Sequence, residues 1–360
     1  MSPVEEPGPR RPLGPRNLLG PPLVSVLLPV YDAATTLPAC LSSLLGQTLD
    51  SWEIVAVDDG STDGSADLLA DAARLDARVR VLHEPHRGVV GAAAAGLAAC
   101  RGRYVARMDA DDVCAAHRLE AQVEMLEADP TLSVASSLVR VLDPPADRVG
   151  FLRYVDWVNS LVSAEEIARE IFVESPLPNP STMVRRAELE ALGGIRETGW
   201  PEDYELWLRY HNAARRMAKV DEVLLHWRDE PGRLTRTDPR YSVESFLRAK
   251  AHYLAIGPLA GRDPVIVWGA GKMGRRLSKH LLREGVAVRA FADIDPAKIG
   301  RTCRGLPVFD RDELPERWRA ESPGRAAVLA AVGSRAAREL IRAQLVAWSF
   351  VEGRDFWCAA

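Results

Sequence analysis

The amino-acid sequence predicts an α/β fold with two parallel sheets, one after the other along the chain. In two stretches, apolar β-rich runs alternate with segments of helical spacing, which is the pattern of a parallel sheet covered by helices. The first stretch begins at Leu23 and the second at Pro264, and glycine and proline are concentrated between them. We therefore expect domains at residues 23–250 and 264–360, joined by a linker at residues 251–263.

Length, composition and charge agree with two folded domains. The chain has 360 residues, which corresponds to about two domains of roughly 150 residues each. Hydrophobic residues make up 47% and charged residues 27%, so the chain as a whole is neither disordered nor of low complexity. The net charge of −4 gives no argument for a nucleic-acid partner, and we expect none.

Three further features favour a cytoplasmic location. No apolar run comes near the roughly 18 residues of a membrane-spanning helix, and the N-terminus lacks the apolar region of a signal peptide. The five cysteines lie far apart, which fits a reducing compartment better than a disulfide framework or a zinc site. We expect a cytoplasmic protein, with peripheral contact to the inner face of the membrane as a further option.

The elements of the first domain follow from local patterns. Residues 1–22 contain seven prolines, which remove backbone donors and fix φ, so we expect a disordered arm. After the arm, apolar β-rich runs predict strands, and helical spacing of apolar residues predicts helices. In chain order these are strand 23–30, helix 37–45, strand 52–57, helix 65–75, strand 78–83, helix 91–100 and strand 104–108. Residues 151–174 also have helical spacing.

Acidic residues follow two of these strands. Asp58 and Asp59 come after the second strand, and Asp109, Asp111 and Asp112 come after the fourth. Ligands of parallel sheets lie beyond the carboxyl ends of strands, and crowded carboxylates repel one another unless a cation lies between them. Mg²⁺ and Mn²⁺ prefer such oxygen ligands together with diphosphate oxygens. The spacing of Asp109 and Asp111 indicates a metal that carries a nucleotide diphosphate, with a solvated acidic turn as the alternative.

Five segments of the first domain resemble the family 2 glycosyltransferases, which have the GT-A fold. They are residues 24–32, 47–48, 54–65, 88–97 and 102–112. The resemblance extends over about residues 23–227 and implies a GT-A-like nucleotide-diphospho-sugar transferase fold. Two positions depart from the family pattern, since Ala94 stands where many relatives have asparagine and Asn179 stands where many have histidine.

The resemblance also implies a donor site. The residues implied for the uracil and ribose pocket are Pro29, Tyr31 and Asp58 or Asp59. Asp111 would bind Mn²⁺ or Mg²⁺, and Asp109 would contact the ribose or the metal. Arg107 lies on the approach to this edge, where it either helps to bind phosphate or faces outward as a solvated charge.

A second acidic pair, Glu202-Asp203, matches the pair that precedes an apolar helix in this family. An inverting sugar transfer needs a carboxylate to take the proton of the acceptor hydroxyl while the diphosphate leaves from the opposite face. We therefore expect Asp203 to be the base, with Glu202 as the second candidate. The alternative is an acid that only stabilises the N-terminus of its helix.

Two further sets of side chains could contact the substrates, and each also has a structural interpretation. Arg228 or His226 could contact the leaving diphosphate, or Arg228 could be an exposed charge at a strand end. Trp157, Trp200 and Trp207 could stack on a sugar ring, although buried tryptophans are more often part of a core.

The second domain begins with a strand, a glycine turn and a helix. The strand is predicted at residues 265–268, the helix reaches Arg283, the next strand covers residues 286–292, and residues 327–334 form a further strand and turn. Gly269, Gly271 and Gly274 permit a tight turn and a close approach of a diphosphate, and Asp293 lies where a ribose-binding acid would be. The domain resembles Rossmann-like modules attached to bacterial glycan-biosynthesis enzymes. Its role is left open between a nucleotide-binding module, a structural or oligomerising domain, and a dehydrogenase that uses an NAD-type nucleotide.

Together these observations predict a metal-dependent, inverting glycosyltransferase. It would move a sugar from a nucleotide-diphosphate donor, expected to be a UDP-sugar, to a saccharide or lipid-linked acceptor in glycan biosynthesis. Residues 151–174 would then be specific to the acceptor, and peripheral contact with other glycan-assembly enzymes is a further option. The alternatives are a non-catalytic protein that binds or senses nucleotide-sugars, and a bifunctional transferase with an oxidoreductase tail. The intact Asp109, Asp111 and Asp203 argue against the first alternative.

Overall fold

The structure is a computed structural model that describes residues 20–142, 149–229, 233–320 and 324–360. The predicted arm at residues 1–22 lies outside the described residues except for its last three positions. Within the described part of the chain, two sheets are covered by helices, so the predicted α/β class is confirmed.

The first sheet is mixed, with a parallel half and a more irregular half. Its strands are β1 (Val24–Val30), β2 (Trp52–Asp58), β3 (Val79–His83), β4 (Tyr104–Arg107), β5 (Val113–Cys114), β6 (Leu132–Leu142), β7 (Met183–Arg185) and β8 (Arg216–Arg228). Their order across the sheet, for the described residues, is β3-β2-β1-β4-β7-β6-β8-β5. The first four strands in this order run parallel, and β7 pairs antiparallel with β4 and β6. The carboxyl ends of β1, β2 and β4 therefore meet at one edge.

The helices that accompany this sheet in the described part of the chain bury apolar side chains, except the helix Leu234–Thr237, which buries none. They are α1 (Leu37–Leu45), α2 (Ser65–Leu75), α3 (Gly88–Ala99), α4 (Arg118–Ala128), α5 (Val149–Asn159), α6 (Ala164–Glu170), α7 (Arg186–Ala191), α8 (Glu202–Asn212), α9 (Leu234–Thr237) and α10 (Val243–Ile256). In α1, for example, Leu37, Cys40, Leu41 and Leu44 are buried, which is the spacing of one helix face.

The central strands β1 and β2 are buried on both faces, as their continuous apolar sequences lead us to expect. One charged residue, Glu53 in β2, is buried with them. Its carboxylate accepts hydrogen bonds from the Ser25 hydroxyl at 2.7 Å, Arg80 at 2.9 Å and Arg101 at 2.7 Å. Burial alone would raise the pKa of Glu53, but the bonds from Arg101, Ser25 and Arg80 hold it below its usual value. Glu53 therefore stays charged and links β1, β2 and β3.

The second sheet is parallel apart from one short edge strand. Its strands are β9 (Val265–Trp268), β10 (Val288–Asp293), β11 (Thr302–Cys303), β12 (Leu306–Asp310), β13 (Ala327–Ala330) and β14 (Phe356–Cys358), and its helices are α11 (Lys272–Arg283), α12 (Leu314–Arg319) and α13 (Arg335–Ala347). The order for the described residues is β11-β12-β10-β9-β13-β14, with only the β11–β12 pair antiparallel. This arrangement confirms the predicted Rossmann-like architecture. Among the described residues, no helix is long and apolar enough to span a membrane.

Buried charged groups connect the two domains. On α6, the Glu170 carboxylate accepts a hydrogen bond from Arg342 of α13 at 2.6 Å. On α10, Lys250 Nζ donates to the carbonyl oxygens of Val173 at 3.0 Å and Ala359 at 2.9 Å. Burial lowers the pKa of Lys250 to about 8. Because α10 also packs against both α8 and α11, the domains share an interface in addition to their linker.

Two predicted segments differ from the structure. Helix α10 runs to Ile256, so the first six residues of the linker predicted at 251–263 are helical. Residues 151–174 form two helices rather than one, because Ser163 ends the connection with a capping box that starts α6.

The cysteine side chains are all free and buried. Cys40, Cys100 and Cys114 lie in the first domain, and Cys303 and Cys358 lie in the second. Burial raises the pKa of both Cys100 and Cys358 to about 12. These thiols therefore behave as small apolar side chains in the folded protein.

Candidate active site

The acidic residues that follow β2 and β4 lie on either side of the end of β1. In the sheet, Asp58 pairs with Val30 on one side of β1, and Arg107 pairs with Leu27 on the other. The sheet order therefore brings the two predicted acidic clusters to the same edge, as parallel strands require.

The cluster after β4 has the composition of a divalent cation site. Carboxylate oxygens of Asp109, Asp111 and Asp112 all lie within 4.8 Å of one another. Asp112 is fully buried, and although its Oδ1 accepts the Arg228 backbone N–H at 2.9 Å, its Oδ2 has no hydrogen-bond partner. Burial, Asp111 and Asp109 raise the pKa of Asp112 well above its usual value. A bound cation would offset the repulsion among these carboxylates, and Asp112 Oδ2 could serve as one of its ligands. The three residues therefore fit Mg²⁺ or Mn²⁺.

Arg228 lies beside this cluster. Its guanidinium Nε donates to the backbone oxygen of Asp111 at 3.0 Å. The residue is half-buried at this edge of the sheet. His226, the other candidate, is in β8 and pairs with Val113 of β5 in the sheet.

The two aspartates after β2 are held by the backbone around them. The Asp59 carboxylate is 2% exposed and accepts the backbone N–H groups of Arg87 and Gly88, both at 2.8 Å. These bonds start α3 at Gly88, three residues earlier than predicted from the sequence. Asp58 accepts the Ser61 N–H at 3.0 Å and contacts His83 Nδ1 at 3.2 Å.

An aromatic pair lies beside Asp59. Tyr31 follows β1, is 48% exposed, and places its ring 4.1 Å from the ring of His86. His86 Nδ1 lies 2.9 Å from the Asp59 carboxylate. Pro29 lies in β1 next to Val57 of β2. The His86 ring, which the sequence did not single out, therefore completes a stacking surface beside Asp59.

The predicted base is at the N-terminus of α8. Glu202 Oε2 accepts a hydrogen bond from the Tyr241 hydroxyl at 2.6 Å, whereas Asp203 Oδ1 accepts one from the backbone N–H of the adjacent Tyr204 at 2.6 Å. Burial, Glu202 and Asp109 raise the pKa of Asp203 to about 8. Burial also raises the pKa of Glu202. A carboxyl with a raised pKa is a stronger base once it is deprotonated, which suits proton abstraction.

A cavity opens beneath this acidic pair. Its lining includes Glu202, Asp203, Asn179 and the guanidinium of Arg107, with apolar side chains of α3 and α8 on the other walls. Arg107 is only 7% exposed, and its guanidinium contacts Asp109 Oδ1 at 2.7 Å. Arg107 is thus not the outward-facing charge that was one of its two interpretations.

The three tryptophans are mainly structural. Trp157 and Trp207 are buried in the core. Trp200 is half-buried and packs against His252, with ring centroids 5.3 Å apart. Of the three, Trp207 lines the cavity below Asp203.

The second domain has a cleft of about 380 Å³ at its glycine turn. Gly269 has a φ of +118°, and a Cβ on Gly274 would lie 1.8 Å from the backbone oxygen of Gly269, so both positions need glycine. Asp293 lines the cleft, but its carboxylate already accepts the Ala270 N–H at 2.8 Å and contacts Lys298 Nζ at 3.3 Å. Asp293, at the end of β10, therefore stabilises the turn through its hydrogen bond with the Ala270 N–H.

Comparisons with known proteins agree with this geometry. The profile described as glycosyl transferase family 2 matches residues 25–192, and the profile described as CoA binding domain matches residues 262–347. The uncharacterized glycosyltransferase EpsJ of Bacillus subtilis (strain 168) is 31% identical over 236 residues, which cover 63% of this chain and 67% of EpsJ. The amylovoran biosynthesis glycosyltransferase AmsE of Erwinia amylovora is 30% identical over 207 residues, which cover 56% of this chain and 75% of AmsE.

Among solved structures, residues 1–349 of S. aureus TarS in complex with UDP-GlcNAc match with a TM-score of 0.53 and 17% identity, covering 74% of this chain and 73% of that one. At this identity the likeness shows the fold. The fold and the sequence likenesses define a glycosyltransferase. The chain belongs to glycosyl transferase family 2, as its motifs predicted, and carries a Rossmann-like domain after the transferase domain.

Proposed function

We propose that this enzyme transfers a sugar from a nucleotide-diphosphate donor, expected to be a UDP-sugar, to a saccharide or lipid-linked acceptor in glycan biosynthesis. The observation that carries the proposal is the meeting of Asp109, Asp111 and Asp112 with Arg228 at the edge where β1, β2 and β4 end. Two similar proteins support the same class, since AmsE is an amylovoran biosynthesis glycosyltransferase and the fold neighbour TarS was solved in complex with UDP-GlcNAc.

In the proposed donor site, the nucleoside lies against Tyr31 and His86, near Asp58 and Asp59. Asp111 and Asp109 would hold Mn²⁺ or Mg²⁺, with Asp112 behind them. The bound cation would supply positive charge to the diphosphate as it leaves. Arg228 would add a second positive group beside the diphosphate, because its guanidinium already contacts the backbone at Asp111.

In the proposed transfer step, Asp203 Oδ takes the proton of the acceptor hydroxyl while that oxygen attacks the anomeric carbon. The bond from the anomeric carbon to the diphosphate breaks on the opposite face, which gives inversion. The Tyr241 hydroxyl holds Glu202 by a hydrogen bond of 2.6 Å, so Asp203 is the carboxylate left for the acceptor.

The test is a donor-hydrolysis and transfer screen across nucleotide-sugars, with Mn²⁺ or Mg²⁺ and with a chelator, read as release of the nucleoside diphosphate. We expect release from one sugar class, stimulated by a divalent cation. Tight binding of a nucleotide-sugar with no release under any condition would instead favour the non-catalytic sensing alternative.

For the second domain we infer binding of a nucleotide without turnover of NAD. The glycine turn, the lysines Lys272 and Lys298 and the apolar side chains Ile294 and Leu340 line one cleft, which suits a ligand with phosphates and a flat base. Titration of the whole protein with NAD⁺, CoA and ADP should show binding of at least one of them. Reduction of NAD⁺ would support the bifunctional alternative, and binding of none would leave a structural role for this domain.

A further inference from the structure

The guanidinium of Arg107 is buried with donors that have no partner. Its Nη2 contacts Asp109 Oδ1 at 2.7 Å, but its Nε and Nη1 are buried and make no hydrogen bond. Arg118 shows the contrast. It is also buried, and its three side-chain nitrogens donate to Gln122 Oε1, Met108 Sδ and the Arg107 carbonyl oxygen. Buried donors without partners are unfavourable and rare, so the free donors of Arg107 point to an acceptor that binds there.

The cavity around these donors has one polar and one apolar side. Arg107 shares the polar side with Asn179, Glu202 and Asp203, while Val89, Ala93, Ile195 and Trp207 are among the apolar lining. A pyranose ring has the same division, because hydroxyl groups point outward from its rim and C–H groups cover its faces. The cavity has a volume of only about 40 Å³, so this division into a polar and an apolar side suits one hydroxyl-bearing edge of a sugar ring.

The charges around Arg107 select the kind of oxygen that it can bind. One guanidinium faces the carboxyl groups of Asp109, Glu202 and Asp203. A further carboxylate or phosphate would add repulsion from these groups, whereas a neutral hydroxyl oxygen would not. The ligand group is therefore a hydroxyl of a neutral sugar.

We propose that Arg107 binds the transferred sugar of the donor, with Nε and Nη1 donating to one or two of its hydroxyl oxygens. This rests on the proposed function, in which Asp109 lies at the cation-bound diphosphate. The sugar is attached directly to that diphosphate, so it is the part of the donor that lies between Asp109 and Asp203. Arg107 would then fix the anomeric carbon in front of the base and contribute to the choice of sugar.

Arg107→Lys tests the proposal, because lysine keeps a positive charge beside Asp109 but lacks the planar set of donors. With Mn²⁺ present, we expect the affinity for UDP to stay within about twofold of wild type. The affinity for the best UDP-sugar of the hydrolysis screen should fall by about 10-fold to 100-fold, the usual range for hydrogen bonds from a charged donor. Titration calorimetry measures both ligands, and Arg80→Lys, on β3 and bonded to Glu53, is the matched control.

A second measurement uses the wild-type protein and so does not depend on the variant folding. Monodeoxy analogues of the best UDP-sugar should include one that binds about 10-fold more weakly than the parent. In Arg107→Lys this analogue and the parent should bind alike, because the shared hydrogen bond is then absent from both.

Three results would overturn the proposal. In the first, Arg107→Lys lowers the affinities for UDP and for the UDP-sugar by the same factor. In the second, it lowers neither affinity. In the third, the wild-type protein binds every monodeoxy analogue as tightly as the parent UDP-sugar. The first would show that Arg107 only positions Asp109. If wild type binds no nucleotide-sugar at all, the proposed function fails before Arg107 is tested, so the two failures are distinguishable.

Discussion

Glu202 and Asp203 are neighbours in the chain, but the structure gives them different surroundings. The Tyr241 hydroxyl binds Glu202 at 2.6 Å, while Asp203 faces the cavity with a pKa raised to about 8. Two carboxyl groups this close do not both ionise readily, so a fixed partner for one of them decides which is free to take a proton. This arrangement favours Asp203 as the base.

Asp203→Asn should therefore keep donor binding and lose transfer. The amide preserves shape but cannot accept the proton, and we expect a fall in kcat of about 10²-fold to 10⁴-fold. In wild type, the rate should rise with pH toward a plateau above about pH 8, because the raised pKa keeps Asp203 protonated and inactive at lower pH. A pH profile of diphosphate release at saturating donor checks both points.

Glu202→Gln is the comparison for this experiment. It should lower the rate less than Asp203→Asn and leave the rising limb of the profile in place. A near-wild-type rate in Asp203→Asn, together with a large loss in Glu202→Gln, would move the role of base to Glu202.

Asp111→Ala should remove the effect of the divalent cation on UDP binding. It takes one of the clustered carboxylates from the edge of the sheet without disturbing the core, so the fold should persist. We expect the stimulation of UDP affinity by Mn²⁺ to fall by more than about tenfold, since removal of a ligand costs at least as much as removal of a supporting group. Calorimetry with and without Mn²⁺ measures this, with Asp71→Ala on the exposed face of α2 as control. Unchanged dependence on Mn²⁺ would exclude Asp111 as a ligand.

The site residues that could be predicted are those fixed by local sequence. Asp58 is the last residue of β2 and Asp109 lies two residues after β4, at strand ends that the sheet brings together, so their positions follow from the chain order of strands and helices. Tyr241 could not be predicted, because it lies 39 residues from the Glu202 that it binds. The inward direction of Arg107 depends on the packing of α3 and α8 around it, which local patterns do not report.

At the scale of secondary-structure elements, the turn between β9 and α11 is tightly packed. The backbone of Gly269 passes so close to Gly274 that no side chain fits between them. Asp293 closes the same turn from β10 through the Ala270 N–H. The turn is therefore a rigid part of the cleft.

Gly274→Ala should loosen this turn, and Gly271→Ala should not. A Cβ on Gly274 would lie 1.8 Å from the Gly269 oxygen, whereas a Cβ on Gly271 meets no atom within 4 Å. We expect a local destabilisation of about 1–3 kcal/mol in the first variant, the usual cost of overpacking. Hydrogen exchange measured over residues 265–293 should be faster in Gly274→Ala only, and equal exchange in both variants would contradict this packing.

Secondary structure was predicted well where one local pattern decides it, and less well where a distant group does. The helix at 65–75 and the strand at 265–268 have the predicted bounds, because apolar periodicity defines them. Helix α3 begins early because Asp59, on another strand, binds its first N–H groups. Residues 151–174 divide at Ser163, whose capping box competes with a continuous helix.

At the scale of the whole molecule, the two domains meet through a buried ion pair. Glu170 of the transferase domain is 3% exposed and is bound by Arg342 of the second domain at 2.6 Å. Removing one member of a buried pair leaves the other charge without compensation, which is costly. We keep the division at residues 251–263 as a prediction of where the chain passes between domains.

Arg342→Ala should destabilise the whole protein by about 3 kcal/mol, because Glu170 would then be buried without its main partner. Arg354→Ala is the matched control, since Arg354 pairs with Asp355 in the same domain but is largely exposed, and such pairs contribute about 0–1 kcal/mol. Urea unfolding followed by circular dichroism compares the variants. Equal midpoints for both would mean that the interface adds little to stability.

Because every cysteine is buried, chemical labelling of the thiols reports which part of this protein opens. A thiol reagent can reach these side chains only when the surrounding structure opens, because all of them are buried in the folded protein. Labelling of Cys100 reports opening of the transferase domain, and labelling of Cys303 or Cys358 reports opening of the second domain. The rates of modification, read by mass spectrometry, would therefore separate the openings of the two halves of a single unaltered chain.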